Sequence, residues 1–255
     1  VYTDTHCHLD YLDDGDPADT VLERARAAGV STFITVGVDL ATSVVAVQQA
    51  MAYPDVWAVV GIHPHNAIEA TEGVLERLRE LAAHPRVVGF GETGLDYFRD
   101  HSPVVRQEES FREHIRMAKD LDKALVIHDR DAHDDVVAIL KQERAPERTV
   151  FHCFSGDESL AQICAENGWY MSFAGTVTFR NAPNLRKAAA TAPLELIVAE
   201  TDSPYLSPHP FRGQVNEPAR VTTTVALLGE LHGLSPEEMA RHTSANAKRL
   251  FRLSE

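Results

Sequence analysis

Cysteine is scarce in this sequence. Three residues in 255, Cys7, Cys153 and Cys164, are odd in number, widely spaced and form no C-x-x-C pair. That excludes a disulfide framework and fits a reducing compartment. No apolar run approaches the ~20 residues needed to cross a bilayer, and the first residues lack the basic-then-apolar pattern of a signal peptide. The expectation is a cytoplasmic protein with no membrane association. Positive charge is also short: 24 Lys and Arg against 38 Asp and Glu leave a formal net charge of −14. That argues against a broad basic face wrapped around a long nucleic acid. It leaves room for a site that grips one strand end, since divalent cations make a pocket locally positive inside an acidic molecule. The first strand-to-helix turn has neither G-x-G-x-x-G nor a P-loop pattern, which sets aside dinucleotide and nucleoside-triphosphate binding.

The remainder is the composition of a folded protein, 44% hydrophobic and 24% charged. Short β-branched runs alternate with amphipathic helical patterns eight times. The runs are Thr3 to Cys7, Ser31 to Val38, Trp57 to Ile62, Val87 to Gly91, Leu125 to His128, Thr149 to Phe154, Tyr170 to Ala174 and Leu196 to Ala199. Eight such units in about 250 residues predict one domain over residues 1–255, an α/β fold of the (β/α)8 TIM-barrel class. A doubly wound open sheet is the structural alternative. The acidic cluster Asp13, Asp14, Asp16 and Asp19 reads as a solvated helix start. The irregular stretch from Thr201 to Pro218, rich in Pro and Gly, reads as a functional loop.

Histidine is the residue in excess, with 13 copies. In the extended segment around His6-Cys7-His8, alternation puts both imidazoles on one face and Cys7 on the other. The same alternation turns Cys153 away from His152, so both cysteines are expected as small buried apolar side chains. Catalytic groups of a barrel come from the C-terminal ends of the strands. Here those ends hold His6 and His8, His63 and His65, Glu92, His128, His152, and Glu200 to Asp202. Imidazole and carboxylate together suit Zn, Mn, Fe or Ni, and the set is too large for one ion but right for two. Two ions sharing a carboxylate acidify bound water and stabilise charge on both the attacking and the leaving oxygen.

The motifs D-T-H-C-H-L-D, G-I-H-P-H, G-E-T-G-L-D-Y, H-C-F-S-G, E-T-D-S-P-Y-L and R-G-x-x-N-E-P resemble those of the TatD family of metal-dependent deoxyribonucleases, within the amidohydrolase superfamily. The likeness runs from Asp4 to Pro218 and resumes at Asn246 to Phe251. It implies that His6 and His8 hold one divalent ion and His128 and His152 the other, with Glu92 common to both. Asp202 would bind the first ion and take a proton from the attacking water. His63 and His65 resemble residues near the scissile phosphate. Arg130 and Arg212 are the basic residues best placed to meet phosphate, the alternative for each being an ordinary salt bridge. His114 stands where the family has Gln. The implied activity is a 3′-to-5′ exonuclease on single-stranded DNA or oligonucleotide ends, using Mg, Mn or Zn, with no obligate protein partner. Two other possibilities are a metal-dependent hydrolase of cyclic amides or lactones and a catalytically silent metal-binding protein. The free base Asp202 speaks against the second of these.

Overall fold

The computed structural model describes residues 1–10, 16–99 and 101–253. Strands and helices alternate as β1 (Tyr2–Cys7), α1 (Ala18–Ala27), β2 (Val30–Val36), α2 (Leu40–Ala52), β3 (Val56–Val60), α3 (Glu72–Ala82), β4 (Val87–Asp96), α4 (Val104–Asp120), β5 (Ala124–Arg130), α5 (His133–Gln142), β6 (Thr149–Phe151), α6 (Glu158–Asn167), β7 (Tyr170–Phe173), α7 (Pro183–Thr191), β8 (Ile197–Ala199), α8 (Val221–His232) and α9 (Pro236–Phe251). The strands follow one another in sequence order within one eight-stranded sheet. The fold is of the expected (β/α)8 TIM-barrel class. Strands covered on both faces need continuous apolar sequence, and β3, Val-Trp-Ala-Val-Val, is buried at every position. Helix starts follow local chemistry: Ser235 accepts from the Glu238 amide while the Glu238 carboxylate accepts from the Ser235 amide, with Pro236 in the first turn. Among the described residues no helix is long and apolar enough to cross a membrane.

The chain forms two compact units, residues 1–34 with 152–255, and residues 35–151. In the first, α9 is tied to both β1 and β8. Thr3 Oγ1 donates to Ser244 Oγ at 3.1 Å, and Asn246 Nδ2 donates to the carbonyls of Leu194 and Ile197. The expected loop after β8 is pinned by a buried amide, Asn216 Nδ2 donating to the carbonyls of Thr201 and Tyr205.

In the second unit, β4 is longer than the sequence predicts. It was expected to stop at Gly91, but it continues to Asp96 with all ten residues buried. After an irregularity between Phe90 and Thr93 it resumes parallel pairing with β5, Gly94 opposite His128 and Asp96 opposite Arg130. Glycine, which normally reads as a strand breaker, serves here to allow close approach. Gly94 has φ +139, and a Cβ built on it would lie 2.1 Å from the His128 carbonyl oxygen.

Also in the second unit, β6 is shorter than expected and ends at Phe151. His152 and Cys153 therefore lie beyond the strand, where alternation no longer governs direction. Cys153 takes a left-handed φ of 43 and is half-buried, not buried as expected, whereas Cys7 is fully enclosed and its thiol donates to the Ile34 carbonyl. Of the acidic cluster, Asp13 and Asp14 lie outside the described residues, and Asp16 pairs with Arg24 at 2.8 Å.

Candidate metal centre

In the first unit, His6 occupies the penultimate position of β1 and His8 follows one residue past its end. Their Nε2 atoms are 3.3 Å apart, and Asp202 Oδ1 lies 3.7 Å from the first and 3.5 Å from the second. The backbone explains the convergence. Asp202 N donates to the His6 carbonyl and His8 N to the Ser203 carbonyl, so the segment after β8 prolongs the ladder alongside β1. Asp202 sits at φ 54, a left-handed conformation that Asp tolerates better than most residues. The ring of His152 stacks on that of His6, centroids 4.0 Å apart and planes at 19°. One ligand atom each from His6, His152 and Asp202 lie within 4.8 Å of one another.

Two fully buried carboxylates brace this cluster. Asp4 accepts from the Thr201 amide at 2.9 Å and the Thr201 hydroxyl at 2.6 Å, fixing the residue before Asp202. Burial pushes the Asp4 carboxyl up to about 8 despite those bonds. Glu200 accepts from the Cys153 amide and the Ser172 hydroxyl, and its Oε1 lies 3.2 Å from His152 Nδ1. With Nδ1 engaged, His152 presents Nε2 for coordination. Burial alone would raise the Asp202 carboxyl. The His8 hydrogen bond and the neighbouring His152 and His6 rings outweigh it and hold Asp202 below its ordinary value, so it is ionised at neutral pH.

In the second unit, Glu92 of β4, His128 of β5 and His63, just past β3, form another group with ligand atoms within 4.8 Å of one another. His128 Nδ1 is 2.7 Å from Glu92 Oε1, while its Nε2 is 3.0 Å from Asp96 Oδ2. A neutral imidazole has one proton for these two carboxylates, so the side without it meets an acceptor. A cation resolves that conflict, and the N and O donors suit Zn or Mn. His63 differs. Its Nδ1 accepts the His65 amide at 3.0 Å, which leaves the proton of the neutral ring on Nε2, 3.3 Å from Glu92 Oε1. Burial lowers its pKa to about 4 against the pull of Glu92. At neutral pH His63 is therefore a hydrogen-bond donor and not a ligand. Asp96 also receives His65 Nε2 at 2.9 Å. Burial opposes ionisation of Asp96, yet the His128 and Arg99 hydrogen bonds hold it well below the usual carboxylate range.

The expected ligands thus gather as His6, His8, His152 and Asp202 in one unit and Glu92 and His128 in the other. Where the resemblance couples His128 with His152, within the units His152 stands beside His6 and Asp202, and His128 beside Glu92. Arg130 lies over the Phe98 ring at 3.9 Å and Arg212 over the Phe179 ring at 3.8 Å. Neither forms an ion pair among the described residues. Three carboxylates escaped the sequence assignment: Asp4, Asp96 and Glu200. Parity offered a signal for two, since Asp4 shares a face with His6, and Asp96 shares a face with Glu92 once β4 is extended.

The family model described as TatD related DNase matches residues 3–252. The chain is 42% identical to YabD of Bacillus subtilis (strain 168), over 98% of this chain and 99% of the relative. It is also 42% identical to TatD of Mycobacterium tuberculosis, over 98% and 97%. Both relatives are described as uncharacterized metal-dependent hydrolases. Among solved structures, YJJV, a TatD homologue from Escherichia coli K12, superposes with a TM-score of 0.93 at 31% identity, over 99% of this chain and 98% of that one. A hydrolase of the TatD family from Entamoeba histolytica superposes at 0.85 with 20% identity, a likeness of fold.

Proposed function

The chain belongs to the TatD related DNase family and is a metal-dependent hydrolase; from that premise we propose that it cleaves phosphodiester bonds, removing nucleotides from the 3′ end of single-stranded DNA with two divalent ions. The observation that carries this is the pair of His and carboxylate groups, His6-His152-Asp202 with its ligand atoms within 4.8 Å and Glu92-His128 with theirs 2.7 Å apart. The division of ligands is the one the sequence resemblance implies, His6, His8 and Asp202 for one ion, His128 and His152 for the other, and Glu92 for both. Mg, Mn and Zn are the candidate ions. When bound, they supply Lewis acidity to water and to the phosphoryl oxygens.

The remaining chemistry belongs to the side chains. Asp202, ionised at neutral pH, accepts a proton at its carboxylate as water attacks phosphorus, and returns one to the leaving oxygen. His63 offers its Nε2 proton to a non-bridging oxygen, and His65 stands beside it at a ring separation of 4.3 Å. Arg130 and Arg212, each set over an aromatic ring, are suited to neighbouring phosphates and their bases. That neither has an acidic partner among the described residues favours a phosphate substrate over a cyclic amide or lactone.

The test is hydrolysis of a single-stranded oligonucleotide labelled at one end, with metal stripped and Mg, Mn or Zn restored separately. Stepwise, metal-dependent shortening from the 3′ end is expected. Asp202→Asn should abolish it with the circular dichroism spectrum unchanged, and a loss of less than about tenfold, roughly 1.4 kcal/mol of barrier, would refute the proton role. No cleavage with any ion, with metal demonstrably bound, would transfer the assignment to the amide or lactone hydrolase.

A further inference from the structure

We infer that Asp96 is a positioning residue whose single carboxylate fixes His128, His65 and the start of the following loop as one body. The inference rests on His128 being a metal ligand. Oδ2 lies 3.0 Å from His128 Nε2 and 2.9 Å from His65 Nε2. Oδ1 accepts the amides of Phe98 at 3.0 Å and Arg99 at 2.9 Å. The side chain has no exposed surface, so water does not compete for these bonds. Its backbone is held independently: Gln107 Oε1 accepts the Asp96 amide at 2.8 Å, and Gln107 Nε2 donates to the carbonyls of Asp96 and Ser102.

The consequence for His128 is a choice of tautomer. With its proton on Nε2 and directed at Asp96, the ring turns the Nδ1 lone pair toward Glu92, the side on which an ion is expected. A carboxylate behind an imidazole also makes that ring a stronger ligand. His65 donates to the same oxygen, so the ring near the phosphate and the ring that holds the ion share an anchor. The third attachment carries Phe98, 59% exposed and covered on one face by Arg130. An asparagine cannot replace this carboxylate in either orientation. With its NH2 toward the histidines it confronts two Nε2 protons, and with its NH2 toward the loop it confronts two backbone amides.

The test measures Zn2+ affinity by competition with a chromophoric chelator for the full-length chain, Asp96→Asn and Gln107→Met. It is paired with long-range 15N–1H spectra of the histidine-labelled protein at pH 8, metal-free and Zn2+-loaded. In the Zn2+-loaded wild type His128 should be protonated on Nε2. In Asp96→Asn the ion held by His128 should bind 10- to 100-fold more weakly, and the His128 proton should move toward Nδ1. Gln107→Met, which loosens the same backbone but spares the carboxylate, should lose stability while keeping Zn2+ affinity within about threefold of wild type. Equal affinity and tautomer in Asp96→Asn would overturn the inference. So would an equal loss of affinity in Gln107→Met, which would mark a purely structural role. The Zn2+-loaded wild-type spectrum decides even if a variant fails to fold, because there His128 in any state other than Nε2–H is incompatible with the inference. If the wild type binds Zn2+ without perturbing His128, the ligand assignment itself fails, a result separate from the loss of Asp96's role alone.

Discussion

Nε2 of His114, fully buried in α4, accepts the backbone amide of Ile62 at 3.1 Å, while Nδ1 donates to the Ser110 carbonyl at 2.7 Å. Both nitrogens are satisfied only in the neutral ring. Burial lowers its pKa from 6.5 to about 4, against a smaller upward pull from the Ser110 carbonyl. Between those values the unfolded chain holds one proton more than the folded chain at this site. Stability therefore rises with pH across the window and is lost as pH falls from 6.5 toward 4, by up to about 3 kcal/mol for this group. A glutamine can accept and donate at the same two points. His114→Gln should match wild type in urea unfolding at pH 7.5 and be the more stable of the two at pH 4.5, with chelator present. Identical pH profiles would show that His114 is not the titrating group.

Gly94 allows β4 to lie directly against the His128 carbonyl. A Cβ there meets that oxygen at 2.1 Å on a backbone that L residues avoid. Gly94→Ala should cost about 2 kcal/mol or more, through strain and forced separation of the strands. Denaturant midpoints check this, and metal affinity at His128 should fall in parallel because its backbone is the part displaced. An alanine variant of wild-type stability would contradict the packing argument.

Ligands that bind only the folded chain stabilise it. A divalent ion at about one hundred times its dissociation constant adds roughly 2.7 kcal/mol, which in a chain of this length raises the melting temperature by roughly 5–10 °C. Differential scanning with Zn or Mn should show this rise, reversed by chelator. His6→Ala, which removes one donor of the first group, should reduce it by half or more. A rise unaffected by that substitution would place the ion elsewhere.

Arg130 carries charge at the end of β5 without an acidic partner among the described residues. Replacing it with Ala should weaken binding of single-stranded oligonucleotide in a metal-supported, cleavage-dead background. It should also flatten the plot of log affinity against log salt by about 0.7 if the side chain meets one phosphate. Fluorescence anisotropy over a salt series reads both. An unchanged slope would show that Arg130 acts through the Phe98 ring and not through phosphate.

The candidate ligand set was legible because His6, His8, His128, His152 and Asp202 lie within three residues of a strand's C-terminal end, where a barrel gathers its chemistry. The braces were not. Two glycines within four residues made β4 look finished at Gly91, when Gly94 in fact serves the approach to His128, and so Asp96 seemed to lie in a loop. Glu200 sits in the same short run as Asp202, and only the three-dimensional path of Cys153 shows that it is turned toward His152. The tautomer of His63 was beyond reach altogether, since it depends on one backbone amide, that of His65, reaching back to Nδ1. Chemistry that depends on residue type and strand position shows in sequence. Chemistry that depends on which nitrogen carries a proton does not.

The ties among Thr3, Asp4, His6 and the far end of the chain also set an order of assembly. Asp4 is bound to Thr201 across 197 residues and Thr3 to Ser244 across 241. β1 is therefore made long before the residues of the β8 side and of α9 that hold it. Its sheet neighbour β2 follows soon after it, but its ties to Thr201 and Ser244 must wait, and contacts this distant in sequence form slowly. Residues 35–151, contiguous in the chain, face no such delay. The strand that carries His6 thus stays paired on one side alone until the β8 side has been made, and the first metal group can be completed only after Asp202.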